Sequence, residues 1–157
     1  MQDGEKLFLE VIRRFDEAAI LQDIVLVGSW VLPVYRSYFD DSPEVPVLRT
    51  TDVDFLVGMP PRITSELDVP ATLEELGFSP QWSIDGRFCK YAHPDMEVEF
   101  LIPELGSDSD GAIAVEGLHV SAQPLRYLSL VYENTMIVEY HQHPIRVPEP
   151  EAFVLLK

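Results

Sequence analysis

A single cysteine, Cys89, stands among 157 residues, so no disulfide can close within the chain. That absence fits a reducing compartment, and the cytoplasm is the expected setting. Basic residues are few: 11 Lys and Arg stand against 27 Asp and Glu, a formal net charge of −16. A protein that grips long nucleic acid by its phosphates needs clustered Lys and Arg, so no long nucleic acid is expected as a partner. The balance suits a small substrate carried in with a metal, or a protein substrate; simple acidic solubility is the plainer explanation. No apolar run approaches the ~18–20 residues of a membrane span, and the opening Met1-Gln2-Asp3-Gly4-Glu5 is not a signal peptide. No internal repeat or long linker is present either. What is present is a 46% apolar chain, long enough for one domain. At this length folding buries about 70% of the unfolded chain's surface.

Apolar residues at helical spacing (Leu7, Phe8, Val11, Ile12, Phe15, Ala18, Ala19, Leu21) predict a helix over residues 4–22, with Asp3 as its cap. Ile24-Val25-Leu26-Val27 reads as a short buried strand. It ends in Gly28-Ser29, and a helix follows from Trp30 to Phe39 with Pro33 tolerated in its first turn. A helix's first amides lack internal partners and attract anions, glycine permits close approach, and Ser29 adds a hydroxyl donor. A turn with a capping serine is the simpler account of the same two residues. Residues 40–50 read as a loop. Pro70 to Leu76 reads as a short helix stopped at Gly77. Strands are then expected at Trp82 to Ile84, Arg87 to Ala92 and Met96 to Ile102, with turns at Asp85-Gly86 and His93-Pro94-Asp95.

Residues 104–111 read as a polar loop. Asp108 and Asp110 lack the remaining ligands of a calcium loop. A hairpin is expected from Ala112 to Ala122 around Glu116-Gly117, a helix from Pro124 to Tyr132, and strands at Met136 to Tyr140 and Ile145 to Val147. A helix beginning at Pro148-Glu149-Pro150-Glu151 makes barely two turns before Lys157, which suggests a truncated element or one packed hard on the core. His93, His119, His141 and His143 show no metal-ligand spacing and read as structural. Cys89, Trp30 and Trp82 read as buried or half-buried, with stacking on a base the alternative for Trp82.

The stretch with chemistry in it is Arg49-Thr50-Thr51-Asp52-Val53-Asp54-Phe55-Leu56-Val57. On a strand, Asp52 and Asp54 share one face while Val53, Phe55 and Val57 take the other. Two carboxylates roughly 6.5–7 Å apart at Cα are costly to hold together unless a cation lies between them. Hard divalent cations take oxygen ligands of this kind. A solvated strand face is the bland alternative for these two, and also for Glu97 and Glu99.

Val27-Gly28-Ser29 followed by Asp52-Val53-Asp54 resembles the signature of the nucleotidyltransferase superfamily with the DNA polymerase β-like fold. The resemblance covers about residues 5–102. It implies an α+β fold, a nucleotidyltransferase-like mixed central sheet flanked by helices; the strands read over 112–147 add a β-rich extension in the same single domain. It also implies transfer of a nucleoside monophosphate from a triphosphate such as ATP to a hydroxyl, with Mg²⁺ or Mn²⁺ as cofactor. Asp52 and Asp54 would bind metal, and Glu99 would be the third carboxylate, with Glu97 the alternative on the same face. Gly28 and Ser29 would receive phosphates, and Arg49 or Lys90 would balance triphosphate charge, surface charge being the alternative for both. Val147-Pro148-Glu149-Pro150-Glu151-Ala152-Phe153 is similar to a turn in AbiEii-type toxin nucleotidyltransferases, which implies an antitoxin partner. An inactive nucleotide-binding or protein-interaction module, and an antibiotic-modifying enzyme, are the other functions compatible with these residues.

Overall fold

The computed structural model describes residues 3–39, 52–104 and 111–155. Helix α1 (Asp3–Glu17) turns Phe8, Val11, Ile12 and Phe15 inward. The predicted helix runs to residue 22, but the α-helix ends at Glu17. Ala19 adopts φ 59° and the Ile20 N–H bonds back to the Phe15 carbonyl, so the chain reverses. Ile20 and Leu21 are buried, which is why the apolar pattern continues past the true helix end. Strand β1 (Ile24–Val27) is buried throughout, and α2 (Val31–Tyr38) begins one residue after the expected start at Trp30.

Strand β2 (Asp52–Val57) follows. Helix α3 (Val69–Glu75) is capped by Asp68, whose carboxylate accepts the Ala71 N–H at 3.0 Å. It closes on Gly77 at φ +95°, with the Gly77 and Phe78 amides bonded back to Glu74 and Leu73. The strand expected at Trp82 to Ile84 is displaced: β3 spans Ser79–Trp82. Asp85 accepts hydrogen bonds from the Ser83 hydroxyl and the Arg87 amide, and this turn expels Ile84 into solvent. Strands β4 (Cys89–His93) and β5 (Met96–Pro103) lie close to expectation.

Strands β6 (Ile113–Val115) and β7 (Val120–Leu125) form the expected hairpin. Residues 124 and 125 belong to β7 rather than to the predicted helix, because Ile102 of β5 pairs with Pro124. Helix α4 therefore covers only Leu128–Glu133, entered through Tyr127 at φ 69°. The hairpin β8 (Thr135–Tyr140) and β9 (His143–Pro148) turns through His141 and Gln142, both at positive φ, and α5 (Pro150–Leu155) follows.

Seven strands make one mixed sheet in the order β1-β2-β5-β4-β3, with β7 beside β5 and β6 beside β7. β2 and β5 run parallel, as do β5 and β7; the other pairs are antiparallel. One face carries Val53, Phe55, Val98, Phe100 and Ile102 into the main core. There Phe15 of α1 meets Phe55 edge-on at 5.3 Å, and Phe55 stacks on Phe100 at 5.7 Å. The β8–β9 hairpin, set against β1 and α2, adds Val138, Tyr140, Ile145 and Val147 to the same core. Each such fully buried side chain contributes about 1.5–3 kcal/mol of burial energy. The opposite face has a smaller cluster: Val25, Val27, Leu56 and Leu101 lie under Leu128 and Val131 of α4. That second face is covered at one end of β2 and bears carboxylates at the other.

Candidate active site

The parallel register of β2 and β5 builds the site. Asp52 pairs with Glu97, and Asp54 with Glu99. Paired residues present side chains to the same face, so four carboxylates gather on two adjacent strands. The two candidates for third carboxylate are thus both present, each beside a different aspartate. Val27 pairs with Asp54 across the antiparallel β1–β2 ladder, which brings the next residue, Gly28, against the Asp54 side chain. A Cβ on Gly28 would lie 2.9 Å from Asp54 Oδ2, and Gly28 sits at φ +80°. Both facts require glycine there. The chain winds into α2 directly from this turn, the Val31 and Leu32 amides bonding back to Gly28 and Ser29. The residue that enters the helix as its N-cap is Trp30, not Ser29.

Burial, with crowding behind it, raises the affinity of Asp52, Asp54 and Glu99 for protons. Burial pushes Asp54 up to about 7, helped by the charges of Glu99 and Asp52 and by a hydrogen bond to Glu99. Burial also raises Asp52, reinforced by a hydrogen bond and the charge of Glu97, with Lys90 opposing. Burial raises Glu99 too, again against the pull of Lys90. Lys90 donates to Glu97 at 3.0 Å, and this bond raises its own affinity for its proton. Among the described residues no three acidic, His or Cys side chains converge tightly enough to hold a metal ion in this arrangement. The donor set nevertheless fits a hard divalent cation: oxygens only, on rigid strands, with their charges opposed among the described residues by Lys90.

The sequence-predicted residues therefore divide. Gly28, Asp54 and Glu99 come together, Ser29 stands at the same turn, and Asp52 and Glu97 flank them. Lys90 reaches the site through Glu97. Arg49 lies outside the described residues, as do Asp108 and Asp110. Trp30, expected as a core residue, packs on Phe8 at 4.6 Å. Trp82, given the same reading, is 62% exposed. His119 bonds Glu66 and His143 bonds Asp16, each tying together distant parts of the chain.

A family model described as "Nucleotidyltransferase" matches residues 6–157. The chain belongs to this nucleotidyltransferase family. No curated protein and no solved structure matches it significantly. The family match extends past β5 through β7, α4 and the β8–β9 hairpin, well beyond the portion that carries the sequence motifs. No helix among the described residues of the nucleotidyltransferase is long and apolar enough to cross a membrane.

Beside Glu99 the nucleotidyltransferase has a cleft of about 330 Å³. Its walls include Gln81, Trp82, Phe88, Lys90, Ser121 and Gln123. Of these only Lys90 and Trp82 stand out in the sequence. Gln81, Ser121 and Gln123 sit in short strands of ordinary composition. A local pattern does not reveal that β7 joins β5 in parallel after a gap of many residues.

Proposed function

We propose that the chain is a divalent-metal-dependent nucleotidyltransferase, one domain over residues 1–157, that moves NMP from an NTP to an acceptor hydroxyl in the cytoplasm. The observation that carries this reading is the juxtaposition of Gly28, Asp54 and Glu99 across three adjacent strands. Asp52 and Asp54 would hold Mg²⁺ or Mn²⁺, with Glu99 as the third ligand. Bound there, the metal would neutralise charge on the triphosphate and on the attacking oxygen. Gly28 and Ser29 receive the outer phosphates at the start of α2. With a cation held there, Asp52 and Asp54 would bind it as carboxylates, and Glu99 would stand beside them to accept the proton of the acceptor hydroxyl. Lys90, and Arg49 ahead of β2, offset triphosphate charge.

Calorimetric titration with ATP and the other NTPs tests this. Binding that requires Mg²⁺ or Mn²⁺ and is lost in Asp52→Asn and Asp54→Asn is the expected result. Metal-independent binding, or none, rejects it. A second reading, a non-catalytic nucleotide-binding or protein-interaction module, is favoured by one feature: burial pushes Asp54 up to about 7, which weakens it as a carboxylate ligand. Transfer of label from an α-labelled triphosphate into cell extract, dependent on Asp54, rules that module out. The likeness of residues 147–153 to AbiEii-type enzymes supports a toxin role with an antitoxin partner; growth arrest on expression, abolished by Asp54→Asn, is its test.

A further inference from the structure

The cleft beside Glu99 occupies a break in the sheet. The ladder between β4 and β5 runs from His93–Met96 to Tyr91–Val98 and stops. The ladder between β7 and β5 begins at Leu101–Gln123. Between them, Glu99 and Phe100 form no ladder pair with either strand, and Cys89 and Lys90 of β4 pair with β3 but not with β5. A notch of about 330 Å³ opens there, near the lower end of the ~300–1,000 Å³ range of small-molecule pockets.

Its position relative to the phosphate turn has a direction. Across the sheet the order is Gly28 after β1, Asp54 on β2, Glu99 on β5, then the notch. Nucleotidyl transfer proceeds in line, so the attacking oxygen enters opposite the departing pyrophosphate. With the outer phosphates at Gly28, the acceptor enters from the notch. The lining is selective. Trp82 and Phe88 offer apolar ring surface, and Gln81, Gln123 and Ser121 offer paired donors and acceptors. Lys90 is already bonded to Glu97, and Glu99 contributes negative charge, so an anionic acceptor is disfavoured.

Resting on the nucleotidyl-transfer reading, we infer that this notch is the acceptor subsite and takes a hydroxylated ring compound, neutral or cationic: a sugar, cyclitol or amino sugar. One ring face lies on Trp82, and its hydroxyls meet Gln81, Gln123 and Ser121. The reacting hydroxyl oxygen bonds to the α-phosphorus and its proton passes to Glu99. The bond from the α-phosphorus to the bridging oxygen breaks, and pyrophosphate leaves with that electron pair.

The test uses the full chain, each of the four NTPs labelled at the α-phosphate, and Mg²⁺ or Mn²⁺. The acceptor probes are myo-inositol, methyl glucoside and glucosamine, with a single-stranded RNA oligonucleotide and casein as competing classes. Label entering a ring compound is the expected result. Trp82→Ala and Gln123→Ala then raise that acceptor's KM roughly tenfold, and the KM for triphosphate does not follow. Ile84→Ser, on the exposed turn of the same hairpin, changes neither. Should Trp82→Ala fail to fold, Gln123→Ala decides. Label entering only RNA or casein overturns the subsite, as do unlabelled ring compounds while triphosphate still binds, or a KM indifferent to both variants. Absence of any metal-dependent triphosphate binding in the wild-type chain is a different failure, that of the nucleotidyl-transfer reading itself.

Discussion

One face of β2 carries two unlike ends. Leu56 lies under α4, sealed by Leu128 and Val131, while Asp54 and Asp52 face β5's glutamates beyond the reach of α4. The two ends share a strand, a pleat and a neighbour. What separates them is where α4 lands. Where it covers the sheet, burial stabilises apolar side chains. Where it stops short, carboxylates are close enough to repel, the arrangement the proposed cation would relieve. A sheet built for stability alone would extend the apolar cover; here the crowded end is a cost tolerated in the fold.

The sharpest test exchanges one charge at the open end. Asp54→Asn should lower nucleotidyl transfer about 10³-fold, the scale of losing a key electrostatic group. The same variant should stabilise the metal-free protein at pH 8. Folded Asp54 holds its proton to about pH 7, whereas the unfolded chain releases it near 3.8. Between those values the folded state binds more protons, so stability falls as pH rises, then levels above 7. Removing the charge recovers about 2–4 kcal/mol at pH 8, measured by urea denaturation at pH 5 and pH 8. A variant less stable than wild type at pH 8 would mean the carboxylates do not repel as described.

The covered end should answer in the opposite way. Leu56→Ala opens a cavity under α4 and should cost about 2–5 kcal/mol at every pH. Its transfer rate, measured well below its melting temperature, should stay within a fewfold of wild type. Gly28→Ala lies between the two. A left-handed alanine costs about 1–2 kcal/mol, and its methyl would push on Asp54, so transfer falls more than stability does. The smallest effect separates the glutamates. Glu99→Gln should reduce kcat, because Glu99 adjoins Asp54. Glu97→Gln should act mainly by loosening Lys90, raising triphosphate KM a fewfold with kcat nearly intact. Reversal of the two phenotypes would make Glu97 the third ligand.

Much of this was readable from residues alone. Ile24–Val27, Gly28 and Asp52–Val57 announce themselves because strand alternation and a buried apolar run are local patterns. The pairing of Asp54 with Glu99 was readable as a pair of candidates, Glu97 or Glu99, since both share a face; only the register assigns each its partner. Pro124 misleads because a proline before an apolar run looks like a helix start, while pairing with Ile102 holds it in a strand. Trp82 misleads for a related reason. Aromatic residues are usually enclosed, but β3 is an edge strand and its four residues are all exposed. The notch has no local signature at all, being made by two strands that part.

The parallel register also has a kinetic side. Asp54 and Glu99 are 45 positions apart (99 − 54), and a parallel pair cannot be closed by a tight hairpin. Helix α1 and the β8–β9 hairpin are local and can form early, whereas β2 and β5 meet only after a long loop is closed. The pairing that gathers the carboxylates is therefore a long-range one. The four carboxylates come together only when β2 and β5 are in register, so any chemistry they carry depends on that long-range pairing rather than on a local element.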